Sequence, residues 1–368
     1  MNRRRRTRGQ GARTISISAT NIHGLGATQL VRSLLPALMR AAPARIAEVW
    51  TPDDNRLSHD IAERAEATET VWKRYGRRLP NAASRALEVM ANGSRIAGGH
   101  DLLVLGDLPY ATRARQVVFV QTPFLLTGSR SASALTNLKS AFSRMLFRLN
   151  MRHVHRVVVQ TEAMHDGILE TYPALAGKVA VIGQPAPSWL LTSKEVPPRA
   201  RTPGEALHLF FPASPYPHKN HVLLKDALAI SEDVARLDLT ITAEGPGSWQ
   251  DSRVVRHGTL KPSAMIERYR LCDALVFPSL EESYGLPLVE AMFLGLPILA
   301  ADRPYARALC GDTALYFDPK SAKSLAEAVS GLRAKLDGGW RPDWRTRLHA
   351  IPHGWDDVAR RMLILFDS

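Results

Sequence analysis

From Ala274 to Ala301 the sequence reads strand, acidic loop, helix, strand, and this order restricts the fold more than any other stretch. Ala274 to Phe277 is a short apolar run, the pattern of a strand buried on both faces. Pro278-Ser279 ends it. Pro287 suits the first turn of a helix, where its missing N–H leaves no bond unmade. The helix continues through Leu288, Ala291, Met292 and Leu294 to Gly295, a stop signal, and Ile298–Ala300 reads as the next strand. Free N–H groups and the positive end of a helix dipole then stand at the top of a parallel sheet, a place for an anion and above all for phosphate. Glu282 and Glu290 flank that helix start. As hydroxyl acceptors, Glu282 suits a sugar and Glu290 a ribose. As ordinary residues, Glu282 is solvated and Glu290 complements the dipole, an effect of about 0.3–1 kcal/mol.

The rest of the chain repeats the alternation. Strands are predicted at Thr14–Ser18, Ile46–Trp50, Asp101–Leu105, Val117–Gln121, Val154–Gln160 and Val179–Ile182. Helices are predicted over Gln29–Ala41, Ala83–Ala97, Leu135–His153 and Glu162–Thr171, the last capped by Thr161. Gln184 to Gly204 holds five prolines and reads as a linker. A second series follows, with strands at Leu207–Phe211, Leu237–Thr242, Val254–Gly258, Ala274–Phe277 and Ile298–Ala300. Its helices fall at Asn220–Ile230, Pro262–Leu271, Pro287–Leu294 and Ala322–Leu336. Two such series predict two doubly wound parallel sheets. The implied organisation is a basic arm (1–13), a first domain (14–183), a linker (184–206), a second domain (207–352) and a terminal helix (353–368). Apolar residues at helical spacing from Trp355 to Phe366 fit a helix that packs on its own domain or crosses back to the first.

Charge divides the chain. Residues 1–185 hold 26 Lys and Arg against 13 Asp and Glu, and residues 186–368 hold 22 against 22, so the whole +13 excess lies in the first half. Six of those cations belong to the arm, which is expected to be disordered. A basic half beside a neutral one predicts an anionic surface or substrate on one side only. On the helix Leu135–His153, the residues Leu135, Leu138, Phe142, Met145, Leu146 and Leu149 share one face, with Arg144, Arg148 and Arg152 away from its centre. That face fits either a core or the surface of an anionic membrane. No apolar run approaches the ~18–20 residues that span a bilayer. The segment after the arm is too short for a signal-peptide core, and Cys272 and Cys310 form no disulfide framework or Cys-x-x-Cys pair. The cytoplasm is the expected compartment, with peripheral attachment to the inner face of the plasma membrane. The Arg arm has no interleaved aromatics and no recognition motif beside it, so no nucleic-acid partner is expected.

Three further loops carry chemistry. Phe211-Pro212-Ala213-Ser214-Pro215-Tyr216-Pro217-His218-Lys219-Asn220-His221 ends a strand and sets Lys219 just before a helix, where the dipole disfavours a cation unless an anion lies between them. Thr242-Ala243-Glu244-Gly245-Pro246-Gly247 ends another strand and reads equally as a turn or a ligand contact. In the first half, Gly24 and Gly26 lie in a loop after the first strand. The third glycine of a dinucleotide fingerprint is missing there, so alone the loop reads as a turn.

The run Phe277-Pro278-Ser279-Leu280-Glu281-Glu282-Ser283-Tyr284-Gly285-Leu286-Pro287-Leu288-Val289-Glu290-Ala291 closely resembles the donor-site signature of retaining GT-B glycosyltransferases of the Glu-x7-Glu type, "glycosyl transferases group 1". The Pro217-His218-Lys219-Asn220 run resembles a variant of the same family's diphosphate-binding loop. Overall the chain is similar to bacterial surface-polysaccharide and O-antigen mannosyltransferases. The resemblance implies a GT-B fold, two Rossmann-like domains facing a central cleft. It implies a hexosyltransferase that takes a nucleotide sugar, with GDP-mannose slightly favoured, and acts with retention on a glycan or polyprenyl-linked acceptor. Glu282 and Lys219 would be catalytic. Glu290, Tyr284, Gly285, Leu286, Ser214, His218, Glu244 and Gly245 would bind the donor. Gly24, Gly26 and Gln121 would face the cleft or acceptor, and the terminal helix would cross back to the first domain. The segment Val255–Gly258 would lead toward the nucleotide base.

Neither an Asp-x-Asp pair nor a cluster with metal-ligand spacing occurs, so no metal or other cofactor is expected. Lys219 and the helix start near Gly285 would stabilise the departing diphosphate instead. The chain departs from the family pattern twice. Ser214 stands where many relatives carry Arg, five residues before the Lys, and the sequence leaves open whether His218, His221 or Arg303 compensates. Gln121 stands where many carry His. It can hydrogen-bond a hydroxyl but is no base near neutral pH. These departures keep a catalytically silent nucleotide-sugar-binding protein in view, beside a GT-B epimerase or phosphorylase.

Overall fold

A computed structural model describes residues 13–22, 24–53, 70–76, 81–127, 134–192, 199–241 and 249–368. The basic arm up to residue 12 and the candidates Glu244 and Gly245 lie outside the described residues.

Two parallel sheets form, as the alternation predicts. The first holds β1 (Ile15–Ser18), β2 (Ile46–Pro52), β3 (Val71–Tyr75), β4 (Asp101–Val104), β5 (Gln116–Phe119), β6 (Val154–Val159) and β7 (Val179–Val181). Their order is β3-β2-β1-β4-β5-β6-β7. The second holds β8 (Leu207–Phe211), β9 (Val234–Leu239), β10 (Val254–Arg256), β11 (Ala274–Phe277), β12 (Ile298–Ala301) and β13 (Leu315–Phe317), in the order β10-β9-β8-β11-β12-β13. Every neighbouring pair of the second sheet runs parallel. Both sheets begin at a central strand, wind to one edge and then return to the other side, the doubly wound pattern. The switch of direction falls between β1 and β4 in one sheet and between β8 and β11 in the other.

Burial follows position. β1, β4, β5, β11 and β12 are buried at every residue, because helices cover both faces of a parallel sheet. The edge strands β3, β7 and β10 have no fully buried residue.

By internal packing the chain forms two units. One comprises residues 1–120, 143–158 and 359–368; the other comprises 121–142 and 159–358. The first has its core on β1, β4 and β5. The second buries a cluster that runs from Phe210 and Phe211 through Val276, Leu288 and Leu299 to Leu332. The Pro-rich stretch after β7 contributes to that cluster through Ala186 and Leu190. Trp355, at the start of the helix Trp355–Ile364, donates its indole N–H to Ala186 O at 3.0 Å.

Four expectations need correction. The predicted helix Ala83–Ala97 is two helices, Asn81–Ala91 and Gly93–Ala97. They part at Gly93, where a Cβ would stand 2.6 Å from Ala111 O. β9 starts three residues earlier than predicted. Its Arg236 and Asp238 pair with each other at 2.9 Å and so fit inside a strand. β3 and β13 were not predicted at all. On the helix Ala134–Asn150, the proposed apolar face divides: Leu146 is buried, whereas Leu138, Met145 and Leu149 are 67%, 47% and 50% exposed. The Leu135 side chain lies outside the described residues.

Candidate functional site

β8 ends at Phe211, and the chain turns through Pro212–Tyr216 into a short 3-10 turn, Pro217–Lys219. Asn220 then takes a left-handed conformation, φ 58°, which Asn tolerates better than most residues. Its side-chain amide donates to Pro319 O at 2.9 Å and Pro278 O at 3.3 Å. The helix His221–Leu228 starts next. Lys219 is thereby fixed at the C-terminal end of β8.

β11 ends at Phe277, and the loop to Gly285 is held along its length. Besides Asn220 on Pro278 O, the Tyr305 hydroxyl donates to Ser279 O at 2.6 Å and Arg303 Nε donates to Leu280 O at 2.8 Å. Leu280 N donates to His218 O at 2.7 Å. The Thr161 hydroxyl donates to Ser283 O at 3.5 Å. Gly285 has φ 97° and ψ 59°, and a Cβ there would lie 3.0 Å from Leu288 Cδ1, so glycine is required where the helix Leu286–Phe293 begins. Leu288 N bonds back to Gly285 O at 2.9 Å. Glu282 is carried on this fixed loop.

The two expected catalytic groups meet. Lys219 Nζ and Glu282 Oε1 are 2.5 Å apart, both half-buried, with Lys219 Nζ 5.7 Å from the Phe277 ring centre. They follow β8 and β11, the neighbouring strands at the switch point, where ligands of doubly wound sheets bind. The pair joins the expected phosphate-binding cation to the expected sugar-binding carboxylate, and the two opposite charges offset each other in the free protein.

Other candidates fall as follows. Glu290 is buried, and its Oε2 accepts from the Tyr269 hydroxyl at 2.6 Å. Tyr284, expected to bind the donor, uses its hydroxyl elsewhere: it donates to Gln184 O at 2.6 Å and accepts from Gln184 N at 2.8 Å. Leu286 and Ser214 are half-buried. His218 lies between Tyr216, stacked with centroids 5.6 Å apart, and Phe124, edge-on at 5.7 Å. Burial, with Lys219 beside it, lowers the pKa of His218. His257, in the segment expected near the base, bonds to Asp238 at 2.5 Å. Gly24 and Gly26 are exposed, Gly24 with φ 84° at the start of the helix Leu25–Ala41, and Gln121 is half-buried. Tyr305 and Tyr269 were not identified from the sequence, and Asn220 entered only as the last residue of the Pro217–Asn220 run, without a role of its own. Among the described residues no group of three or more His, Cys, Asp or Glu could hold a metal ion.

Comparison with known proteins agrees with this geometry. Residues 207–335 match the family model "Glycosyl transferases group 1". The chain carries a glycosyl transferases group 1 domain. The match takes in β8 to β13 and both members of the Lys219–Glu282 pair. The chain is 25% identical over 210 residues to the O-antigen chain mannosyltransferase RfbU of Salmonella typhimurium, covering 54% of this chain and 57% of that relative. It therefore spans little more than half of that relative's length. Among solved structures it resembles the sucrose-phosphate synthase of Thermosynechococcus elongatus, with TM-score 0.67, 14% identity and coverage of 96% of this chain and 98% of the other. It also resembles Anabaena HepE in complex with UDP and glucose, with TM-score 0.60, 16% identity and coverage of 92% and 98%. At these identities the structures establish the fold, and the fold is GT-B.

Proposed function

We propose that this group 1 chain transfers a hexose from a nucleotide sugar to a glycan or lipid-linked saccharide, with retention and without a metal. The observation that carries the reading is the Lys219–Glu282 pair at the ends of β8 and β11, beside the start of the helix Leu286–Phe293. Breaking the bond from the anomeric carbon to the diphosphate leaves positive charge on the sugar and negative charge on the leaving group. Lys219 and the helix start are placed to stabilise the negative charge. Glu282, released from Lys219 as the diphosphate takes that cation, accepts from sugar hydroxyls. Glu290, one helical turn or more beyond, serves the ribose. Retention is what the family resemblance implies: the acceptor attacks on the leaving-group face, and the departing phosphate takes its proton.

A mannose donor is favoured by the similarity to RfbU, named as a mannosyltransferase. A uridine nucleotide is the other choice, since HepE is described with UDP and glucose. A lipid-linked acceptor is favoured by the basic first half and by the exposed Leu138, Met145 and Leu149 on the helix Ala134–Asn150, a surface suited to peripheral docking on anionic lipid. Among the described residues no helix is long and apolar enough to cross a membrane.

The test is a thermal-shift screen of nucleotides and nucleotide sugars with the full chain and with Lys219→Ala, with and without EDTA. A ligand of the native state raises Tm. At least one nucleotide sugar should raise it for the wild type, less for Lys219→Ala, and EDTA should change neither. No shift with any nucleotide contradicts the reading, and a shift that EDTA abolishes contradicts the metal-free part.

A further inference from the structure

The diphosphate of a nucleotide sugar carries two negative charges, and Ser214 leaves the loop after β8 with one cation, Lys219. Three side chains stand near enough in sequence or space to supply the second charge. His221 is buried, its ring packed on Phe211 at 5.1 Å, and burial lowers its pKa to about 4. It is uncharged at neutral pH. His218 is half-buried between two aromatic rings, and burial lowers its pKa as well. Neither imidazole can serve as a permanent cation.

Arg303 differs from both in keeping its charge. It follows β12 and is half-buried. Because β8, β11 and β12 are consecutive in the sheet, Lys219, Glu282 and Arg303 stand at the ends of three adjacent strands, about 10 Å across in all. A hydrogen-bonded path joins them. Arg303 Nε donates to Leu280 O at 2.8 Å, and Leu280 N donates to His218 O at 2.7 Å, one residue from Lys219 and two from Glu282. That single bond fixes the guanidinium by one N–H and leaves the Nη groups unused. They make no hydrogen bond or ion pair with any described residue. Its neighbours illustrate the contrast: Arg307 is bidentate on Asp302 at 2.8 Å. The Tyr305 hydroxyl, raised in pKa chiefly by burial, is raised further by Glu282 and lowered by Arg303, so both charges act at one point. A guanidinium keeps its charge wherever the fold survives and presents a planar fork suited to phosphate oxygens.

We infer that Arg303 is the second diphosphate-binding cation of this site, supplied from the strand on the far side of Glu282 in place of the arginine that Ser214 replaces. The inference rests on the donor-site reading above. Arg303 thereby combines two tasks: Nε holds the Glu282 loop and the Nη groups meet the ligand.

The experiment is calorimetric titration of the full chain with GDP and UDP, and with GMP and UMP as probes that lack the second phosphate. The proteins are wild type, Arg303→Gln and Ser214→Arg/Arg303→Gln, each checked for an unchanged unfolding midpoint. Arg303→Met serves if the Gln variant fails to fold. Arg303→Gln should lose about ten- to hundredfold in affinity for the preferred diphosphate, with the monophosphate within about twofold. Ser214→Arg should recover part of that loss by restoring a cation from the other side. Undiminished diphosphate binding in Arg303→Gln overturns the proposal. Equal losses for diphosphate and monophosphate, not recovered by Ser214→Arg, also overturn it and leave Arg303 a clamp on Leu280. Wild-type protein that binds none of the four nucleotides overturns the donor-site reading itself.

Discussion

At the scale of single residues, the side chains around Glu282 do structural work that a motif does not reveal. Tyr284 is the clearest case. Its hydroxyl satisfies both main-chain groups of the buried Gln184, which buried polar groups require. Tyr284→Phe removes one oxygen and strands two buried groups. It should therefore lower stability by about 2–6 kcal/mol, since each orphaned group costs about 1–3. Urea unfolding measures this, and a loss below about 0.5 kcal/mol would show that the contact is not made. The motif residues Glu282, Gly285 and Lys219 could be read from the sequence because each belongs to a short local pattern. The partnership of Tyr284 with Gln184 could not, because the contact spans 100 positions and depends on tertiary packing.

At the scale of elements, buried central strands were legible and edges were not. β8 and β11 match the predicted spans because an apolar run, broken in β8 by His208 alone, has one reading between turn signals. β3 carries Lys73 and Arg74 at a sheet edge, where charge protects an open strand, and no apolar pattern marks it. The three-residue shift of β9 has a similar cause: Arg236 breaks the apolar pattern just before the predicted start, and it fits in the strand because it pairs with buried Asp238. The loop after β11 gains its rigidity from other elements, and Asn220 is the nearest of these. Asn220→Gly keeps the left-handed backbone accessible and deletes the bonds to Pro278 and Pro319. It should cost about 1–2 kcal/mol. Asn220→Ala should lose about 1 kcal/mol more, from placing a Cβ at φ 58°. Equal stability of the two variants in denaturant unfolding would rule out backbone strain as a contributor.

At the scale of the whole molecule, charge and chemistry belong to different parts of the chain. The proposed donor site lies on the second sheet, in a neutral half, while the excess of +13 belongs to residues 1–185. The exposed Leu138, Met145 and Leu149 share a helix with Lys139, Arg144 and Arg148. Each basic residue near an anionic leaflet contributes about 1 kcal/mol at most, and screening shortens from about 10 Å at 0.1 M salt to about 3 Å at 1 M. The chain should therefore sediment with anionic vesicles at low salt, less at high salt, and little with neutral vesicles. Replacing Leu138 and Leu149 by Ser should weaken it, whereas equal binding to both vesicle types would contradict docking by charge. The central claim is the joint use of Lys219 and Glu282 on a nucleotide sugar. Its most direct test is release of nucleoside diphosphate from GDP-mannose and UDP-glucose in the presence of lipid-linked and free saccharide acceptors, comparing wild type with Glu282→Ala of matched unfolding midpoint. The account predicts turnover by the wild type and a loss of at least about a hundredfold in Glu282→Ala, equivalent to about 2.7 kcal/mol of transition-state stabilisation; near-normal turnover by a folded Glu282→Ala protein would contradict it.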